Sequence, residues 1–290
     1  MKLDIKNLVF GYNDRNVLDD VSFSVDAPAF VSVLGPNGVG KSTLIHCINR
    51  ILEPRSGIVE VDGRDVSDIP KKELAKFMAY VPCTSATAFP MSVADTVMLG
   101  RYPHSGNRRT DDDLRAVHSA LKMMGIEDLA MRSFNELSAG QHQKVMLARG
   151  LAQESRILLL DEPTANLDIK HQIAVARMLK SLSVSEGMII IMICHDLNIA
   201  SRYSDRIILL SEGKIFADGS PDDVLTPDNI DAVYGVGCEI TEFEERPHLM
   251  FKDPGSGAES TGHDGLEADI GVEQSPIRTE RRARALFSRS

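Results

Sequence analysis

The stretch GPNGVGKS, Gly35 to Ser42, decides how this chain is read. Immediately before it, FVSVL (Phe30 to Leu34) has the look of a short buried strand. Immediately after, KSTLIHCINRIL (Lys41 to Leu52) repeats its apolar residues with helical spacing. The glycines therefore fall in the turn between a strand and a helix, which is where a P-loop must lie. Gly35, Gly38 and Gly40 let backbone N–H groups converge on oxygen anions with no Cβ in the way, and the helix start adds partial positive charge. Pro36, Asn37 and Val39 complete the loop, and Thr43 continues the first helical turn. Lys41 is placed to contact the β- and γ-phosphates of a nucleotide, and Ser42 to offer its hydroxyl to Mg²⁺.

Working outward, 290 residues exceed the usual size of one domain without demanding two, and 43% hydrophobic content can bury a sizeable core. A net charge of −10 argues against a non-specific nucleic-acid binder, whose footprint is a basic face. No basic segment followed by an apolar run opens the chain, so no secretory leader is expected. The longest apolar run, MIIIMIC (Met188 to Cys194), is too short to cross a bilayer, so membrane association is expected through a partner. Cys47, Cys83, Cys194 and Cys238 lack C-x-x-C spacing and read as reduced thiols, mostly in the core. Composition changes near Pro254. Six carboxylates and no Lys or Arg lie between Asp253 and Glu273, and five arginines follow from Arg278 to Arg289. Residues 253–290 are expected to be a disordered, solvated tail whose end, IRTERRARALF, has the makings of a short basic amphipathic helix.

The first sixty residues alternate as strands do, with VSFSV (Val21 to Val25) in strict period two and IVEVDG (Ile58 to Gly63) running into a turn. Three further strand candidates, KFMAYVP, ILLLDEP and MIIIMICHD, are separated by helical segments, which predicts a largely parallel sheet with crossover helices. RIILLSEGKIFADG (Arg206 to Gly219) reads as a hairpin turning at Glu212–Gly213. Between Val93 and Met131 the pattern is helical, interrupted by a charged loop at His104 to Asp113.

ILLLDE, Ile157 to Glu162, is an apolar strand ending in two acids. Beside a P-loop, Asp161 can hold Mg²⁺ through a water, and Glu162 can reach the water that attacks a γ-phosphate. Two solvated acids at a strand end are the plain alternative, and the nearby P-loop is what argues against it. LSAGQ, Leu137 to Gln141, opens the helix HQKVMLARGLA about twenty residues before that strand, with Ser138 placed to cap it and Gly140 leaving backbone amides open.

With these motifs in this order, the chain resembles the ATP-binding cassette (ABC) ATPases. It matches their phosphate loop at Gly35 to Ser42, their signature at Leu137 to Gln141, their acidic motif at Ile157 to Glu162, their D-loop at Ala165 to Asp168 and their switch histidine at His195. The match covers roughly Met1 to Val236. It implies an α/β fold with a P-loop NTPase (RecA-like) core, an N-terminal antiparallel β subdomain and a helical insertion carrying the signature. It implies one ATPase domain over residues 1–240 with the insertion at about 84–140, and a short extension at 241–252. ATP and Mg²⁺ are the implied cofactors. Two copies would pair head to tail, each ATP lying between one phosphate loop and the partner copy's Ser138, Ala139, Gly140 and Gln141. Tyr12 would stack on adenine, an ordinary strand-end tyrosine being the alternative. His195, which follows MIIIMIC at the sheet's edge, would hydrogen-bond the γ-phosphate. Asp168 would contact the partner copy's phosphate loop.

Two positions depart from the family pattern. Ala139 stands where glycine is usual, a change of little consequence if its φ is negative. Cys83, in YVPC, stands where the family places a glutamine that helps coordinate Mg²⁺ and order the attacking water, and no glutamine occurs from there to Pro90.

Within the family the resemblance leans toward cassette subunits of importers for ferric siderophores, haem and cobalamin. It rests on VADTVMLGRYPH (Val93 to His104), LDIKHQ (Leu167 to Gln172) and HDLNIASRYSDRIILLSEGKIFADGSPDDVL (His195 to Leu225). This implies a subunit docked on the cytoplasmic face of a separate membrane permease, which an extracytoplasmic substrate-binding protein feeds. A cleft around Tyr80 to Arg101 would receive the permease's coupling helix. A GTPase would need an N-K-x-D or T-K-x-D motif, which is absent. Chromosome-organising relatives separate phosphate loop and signature by long coiled coils, whereas about one hundred residues without heptads separate them here. A cytosolic cassette acting as an ATP-dependent clamp or assembly scaffold is the second reading.

Overall fold

The computed structural model describes residues 1–83, 91–104, 109–165 and 167–253. The tail after Asp253, Thr84 to Pro90 at the start of the helical insertion, and Asn166 in the D-loop lie outside the described residues. The chain divides into two units, Met1–Pro254 and Gly255–Ser290, and the first is described here.

The chain opens on strands β1 (Lys2–Tyr12), β2 (Arg15–Asp26) and β3 (Ala29–Leu34), followed by helix α1 (Lys41–Ile48). Next come β4 (Ser56–Val61), β5 (Arg64–Asp65), α2 (Lys71–Phe77) and β6 (Met78–Val81). The insertion carries α3 (Val93–Met98) and α4 (Asp111–Met124), and leads through α5 (Ala139–Ala152) into β7 (Ile157–Asp161). Then follow α6 (Ile169–Ser185), β8 (Ile189–Ile193), α7 (Leu197–Tyr203), β9 (Arg206–Ser211) and β10 (Lys214–Gly219). Helices α8 (Pro221–Val224) and α9 (Pro227–Tyr234) precede a closing hairpin of β11 (Cys238–Phe243) and β12 (Arg246–Phe251), whose first strand straddles residue 240.

The alternating N-terminal strands make an antiparallel sheet in the order β2-β1-β4-β5. The apolar runs make a six-stranded sheet ordered β10-β9-β3-β8-β7-β6, parallel except for β10, which returns from β9 as the Glu212–Gly213 hairpin. Strands covered on both faces need apolar residues at successive positions. In β7 and β8, Ile157, Leu159, Ile189, Ile191 and Ile193 face the N-terminal sheet and α1. Leu158, Leu160, Ile190 and Met192 face the helices of the insertion together with α5 and α6. All nine are at most 1% exposed, so the sheet is the partition between two cores.

Two expectations need correcting. Helix α1 stops at Ile48, not Leu52. Arg50 takes a left-handed φ of 54° and its guanidinium donates to the Val66 and Ile69 carbonyls, turning the chain toward β4 although Ile51 and Leu52 prolong the apolar rhythm. Strand β8, which ends just before His195, is internal to the sheet, between β3 and β7. The edge on which His195 stands is the carboxyl edge of the strands.

Candidate active site

Register explains why residues far apart in sequence meet. Val81 pairs with Leu160 and Asp161 with Ile193, so Cys83 comes level with Glu162, and His195 falls one residue beyond that line. Val33 also pairs with Ile193, which brings the start of the phosphate loop level with His195. Ligands of open α/β sheets bind outside these carboxyl ends.

The loop's shape depends on glycine. At Gly35, with φ of 142°, a Cβ would come within 2.3 Å of the Leu210 carbonyl oxygen. At Gly40, with φ of 105°, it would stand 2.9 Å from Leu18 and 3.0 Å from the Val17 carbonyl oxygen. The buried Lys41 ammonium donates to the carbonyls of Gly35 and Pro36 at 2.7 and 2.8 Å. Burial lowers its pKa, and the charges of Glu162 and Asp161 work against that. Those two carbonyl bonds are the ones a phosphate would replace with stronger, charge-assisted ones.

Ser42 Oγ donates to Asp161 Oδ1 at 3.1 Å. Burial pushes the Asp161 carboxyl above its ordinary range and the neighbouring Glu162 charge adds to the effect, while the Ser42 bond opposes it. These are the hard oxygen donors that Mg²⁺ prefers, and a positive ion would relieve the cost of keeping Asp161 ionised. Glu162 sits just past β7 with a left-handed φ of 51°, a conformation that costs a non-glycine residue on the order of 1 kcal/mol and is concentrated at functional sites. Its Oε1 lies 2.5 Å from His195 Nε2. The next residue, Asp196, caps α7 by accepting from the amides of Asn198 and Ile199, which fixes the chain that carries the imidazole.

Cys83 Sγ donates to the other Glu162 oxygen, Oε2, at 3.8 Å. Burial foremost, then the charges of Glu162 and Asp161, raise the thiol pKa, so Cys83 is held as a neutral thiol. Cys194 is buried and pushed up to about 12. Neither is an activated thiolate. All four cysteines are free; Cys47, Cys194 and Cys238 are buried and Cys83 is half-buried.

Tyr12 ends β1, 57% exposed, with its ring set edge-on to Phe10 at 5.1 Å. It lines a cleft of about 800 Å³ together with Arg15, Val17, Pro36, Asn37, Gly38, Val39 and the Glu212–Gly213 turn. The volume suits a nucleoside against the phosphate loop. Ser138, Ala139, Gly140 and Gln141 are not among the residues lining it. They start α5, where Ser138 accepts from the Gln141 amide at 3.3 Å and Gln141 Oε1 accepts from the Ser138 amide at 3.0 Å. Ala139 is the first residue of the helix and is not among the residues with positive φ, so its methyl group is accommodated. Asp168 is exposed and caps α6, accepting from the amide and Nδ1 of His171 at 2.9 and 2.8 Å.

Sequence reading passed over His46 and the site role of Tyr80. His46 follows Ser42 by one helical turn, and its Nε2 lies 2.9 Å from Tyr80 Oη, whose ring sits three residues before Cys83. Spacing on α1 marks His46 as facing the way Ser42 faces, but nothing in the sequence marks Tyr80 as its partner.

A glycine loop before a helix, a serine–carboxylate pair and a carboxylate–imidazole pair, all at the ends of parallel strands, define a P-loop nucleotide hydrolase. The ABC transporter family model matches residues 18–165. An uncharacterised ABC transporter ATP-binding protein of Methanocaldococcus jannaschii is 45% identical over 250 residues, 86% of this chain and 98% of that protein. A probable siderophore transport system ATP-binding protein of Bacillus subtilis is 36% identical over 242 residues, 83% of this chain and 88% of that one. Among solved structures, an ABC transporter provisionally assigned to the metal-chelate type, in an inward-facing conformation, superposes with a TM-score of 0.75 at 28% identity, covering 86% of this chain and 96% of that one. A dimeric ABC transporter cassette superposes at 0.69 and 29% identity, covering 75% and 98%. The chain belongs to the ABC transporter family, as an ATP-binding subunit.

Proposed function

We propose that this chain hydrolyses ATP to power the import of a metal chelate (a ferric siderophore, haem or cobalamin) through a separate membrane permease. The observation that carries the catalytic part is the shared strand-end line on which Ser42 meets Asp161 at 3.1 Å and Glu162 meets His195 at 2.5 Å. The transport part is supported by likeness to a siderophore transport protein and to a transporter assigned to the metal-chelate type. That likeness favours transport over a cytosolic clamp or scaffold. Among the described residues no helix is long and apolar enough to cross a membrane. In this reading the permease is a separate chain and this subunit sits against its cytoplasmic face.

In this reading residues 1–240 work as the ATPase domain, with the insertion at about 84–140 turned to the permease. Tyr12 carries the adenine, the loop amides and Lys41 hold the phosphates, and Ser42 and Asp161, the latter through water, hold Mg²⁺. Bound Mg²⁺ supplies charge neutralisation on the phosphate oxygens. Glu162 takes the proton of the attacking water as general base. The γ-phosphate draws the His195 imidazole, which releases Glu162 Oε1 to accept that proton. Cys83 orders Glu162 only through a long thiol bond, since a neutral thiol is a weak donor and a poor partner for a hard cation. Ser138 to Gln141 deliver a second set of amides to the ATP of a partner copy, and Asp168 reaches that copy's phosphate loop. Solved cassettes of this family form dimers, which supports the pairing.

The test is Glu162→Gln. It should keep ATP binding, lose hydrolysis by roughly 10²–10⁴-fold and accumulate an ATP-bound dimer. Hydrolysis at the parental rate overturns the assignment of the base. Co-purification of the chain with a hydrophobic permease tests the transport role, and a chain that purifies alone from membranes expressing that permease speaks for the cytosolic clamp.

A further inference from the structure

The closing hairpin is tied to helix α7 by side chains that no motif announces. The Asn198 carboxamide spends both ends on one residue: its Oδ1 accepts from the Leu249 amide at 2.8 Å, and its Nδ2 donates to the Leu249 carbonyl at 3.2 Å. One turn further on, the fully buried Ser201 Oγ donates to the Pro247 carbonyl at 2.5 Å. Beside it the Arg202 guanidinium pairs with the Glu244 carboxylate and stands 5.8 Å from the centre of the Phe243 ring. Asn198, Ser201 and Arg202 are spaced i, i+3, i+4, so a single face of α7 meets the hairpin. Among the described strands β12 pairs only with β11, and α7 supplies partners for backbone groups that this pairing leaves over.

The position of α7 bears directly on the catalytic site. Its seven residues make about two turns, too few for a helix to be stable by itself. Its apolar residues Leu197, Ile199, Ala200 and Tyr203 are buried in the core, but apolar contact is not directional. The polar bonds to the hairpin are directional, and they fix how the helix is rotated and how far it slides. Asp196 caps α7, and His195 is the residue before that cap. On the other side of His195 lies β8, fully buried within the sheet, and the Cys194 amide continues its pairing by donating to the Val33 carbonyl at 3.3 Å. The imidazole thus hangs on a short link whose one end is set by the sheet and whose other end is set by α7.

We propose that the β11–β12 hairpin is a working part of the catalytic site, and that Asn198 is the positioning residue through which it aligns His195 against Glu162. This rests on the reading of Glu162 as the general base and of His195 as the group that answers the γ-phosphate.

The experiment is a double-mutant cycle on the full chain, read by steady-state kcat and KM and, for the weak variants, by single-turnover ATP hydrolysis. Asn198→Ala removes both bonds to Leu249 and should lower kcat roughly tenfold with the KM for ATP unchanged. In a His195→Ala background the same substitution should cost nothing further, because the group it acts through is gone. An equal loss in both backgrounds overturns the proposal, since a hairpin that only stabilises the fold would give it. No loss in the parent background, or a change confined to KM, overturns it as well. If His195→Ala alone hydrolyses ATP at the parental rate, the role of His195 fails and the proposal falls with it. Should Asn198→Ala fail to fold, Ser201→Ala, which removes the bond to Pro247, goes through the same cycle and the same outcomes decide.

Discussion

The phosphate loop and the start of α5 are both helix beginnings with exposed amides, yet they are finished differently. At the first, Lys41 donates to the Gly35 and Pro36 carbonyls of its own loop, Ser42 bonds Asp161 and Glu162 pairs with His195, across three strand ends. At the second, the side chains of Ser138 and Gln141 accept from each other's amides, in a reciprocal cap open to solvent. A site whose parts satisfy one another is complete as an anion receptor before its substrate arrives. In the proposed reading, the α5 start is half of a receptor whose other half comes with the ATP of a second copy.

Substitutions on the two sides should therefore fail in different ways. The largest effect is expected at the finished half. Lys41→Ala removes hydrogen bonds to charged oxygens, worth about 1.5–3 kcal/mol, so isothermal titration of the single copy should show ATP binding roughly 10–150-fold weaker. Next comes Cys83→Gln. Restoring a positioning contact worth on the order of 1–2 kcal/mol should speed steady-state hydrolysis about five- to thirty-fold with little change in ATP affinity. Because the thiol is held neutral, the parent's rate should be the same with and without reductant. A parent already as fast as the glutamine variant would mean that another group orders the attacking water. At the open half, Ser138→Ala removes a cap worth about 1 kcal/mol. It should leave ATP binding to a single copy unchanged and weaken ATP-driven pairing of Glu162→Gln subunits about fivefold, read by sedimentation. If single-copy binding falls instead, the two halves are not separate receptors. The smallest effect belongs to truncation after Lys252, which should shift stability by less than about 0.5 kcal/mol and leave ATPase activity unchanged.

Much of this was legible in the chain because its signals are local. A strand, glycines and a helix follow one another within Phe30–Leu52, and ILLLDE carries its two acids at the end of its own apolar run. The capping box at Ser138 and Gln141 is likewise written in three residues of spacing. What escaped depends on pairings between distant segments. The order of the parallel strands, which sets β8 inside the sheet and β6 at its edge, is fixed by packing on both faces and leaves no trace in any one run. The His46–Tyr80 contact spans thirty-four residues and joins two types that each read as ordinary core or surface residues. The early end of α1 escaped for a related reason: the carbonyls of Val66 and Ile69 that capture Arg50 lie well downstream of it.

Strand β6 is hydrogen-bonded on one side only, to β7, and stands last in its sheet. It is also the strand whose end brings Cys83 to Glu162, and the chain runs on from it into the helical insertion. Mechanically this makes β6 a reed clamped along one edge. Its tip, at Cys83, bonds one carboxylate of the site, whereas the phosphate loop hangs from β3 in the middle of the sheet.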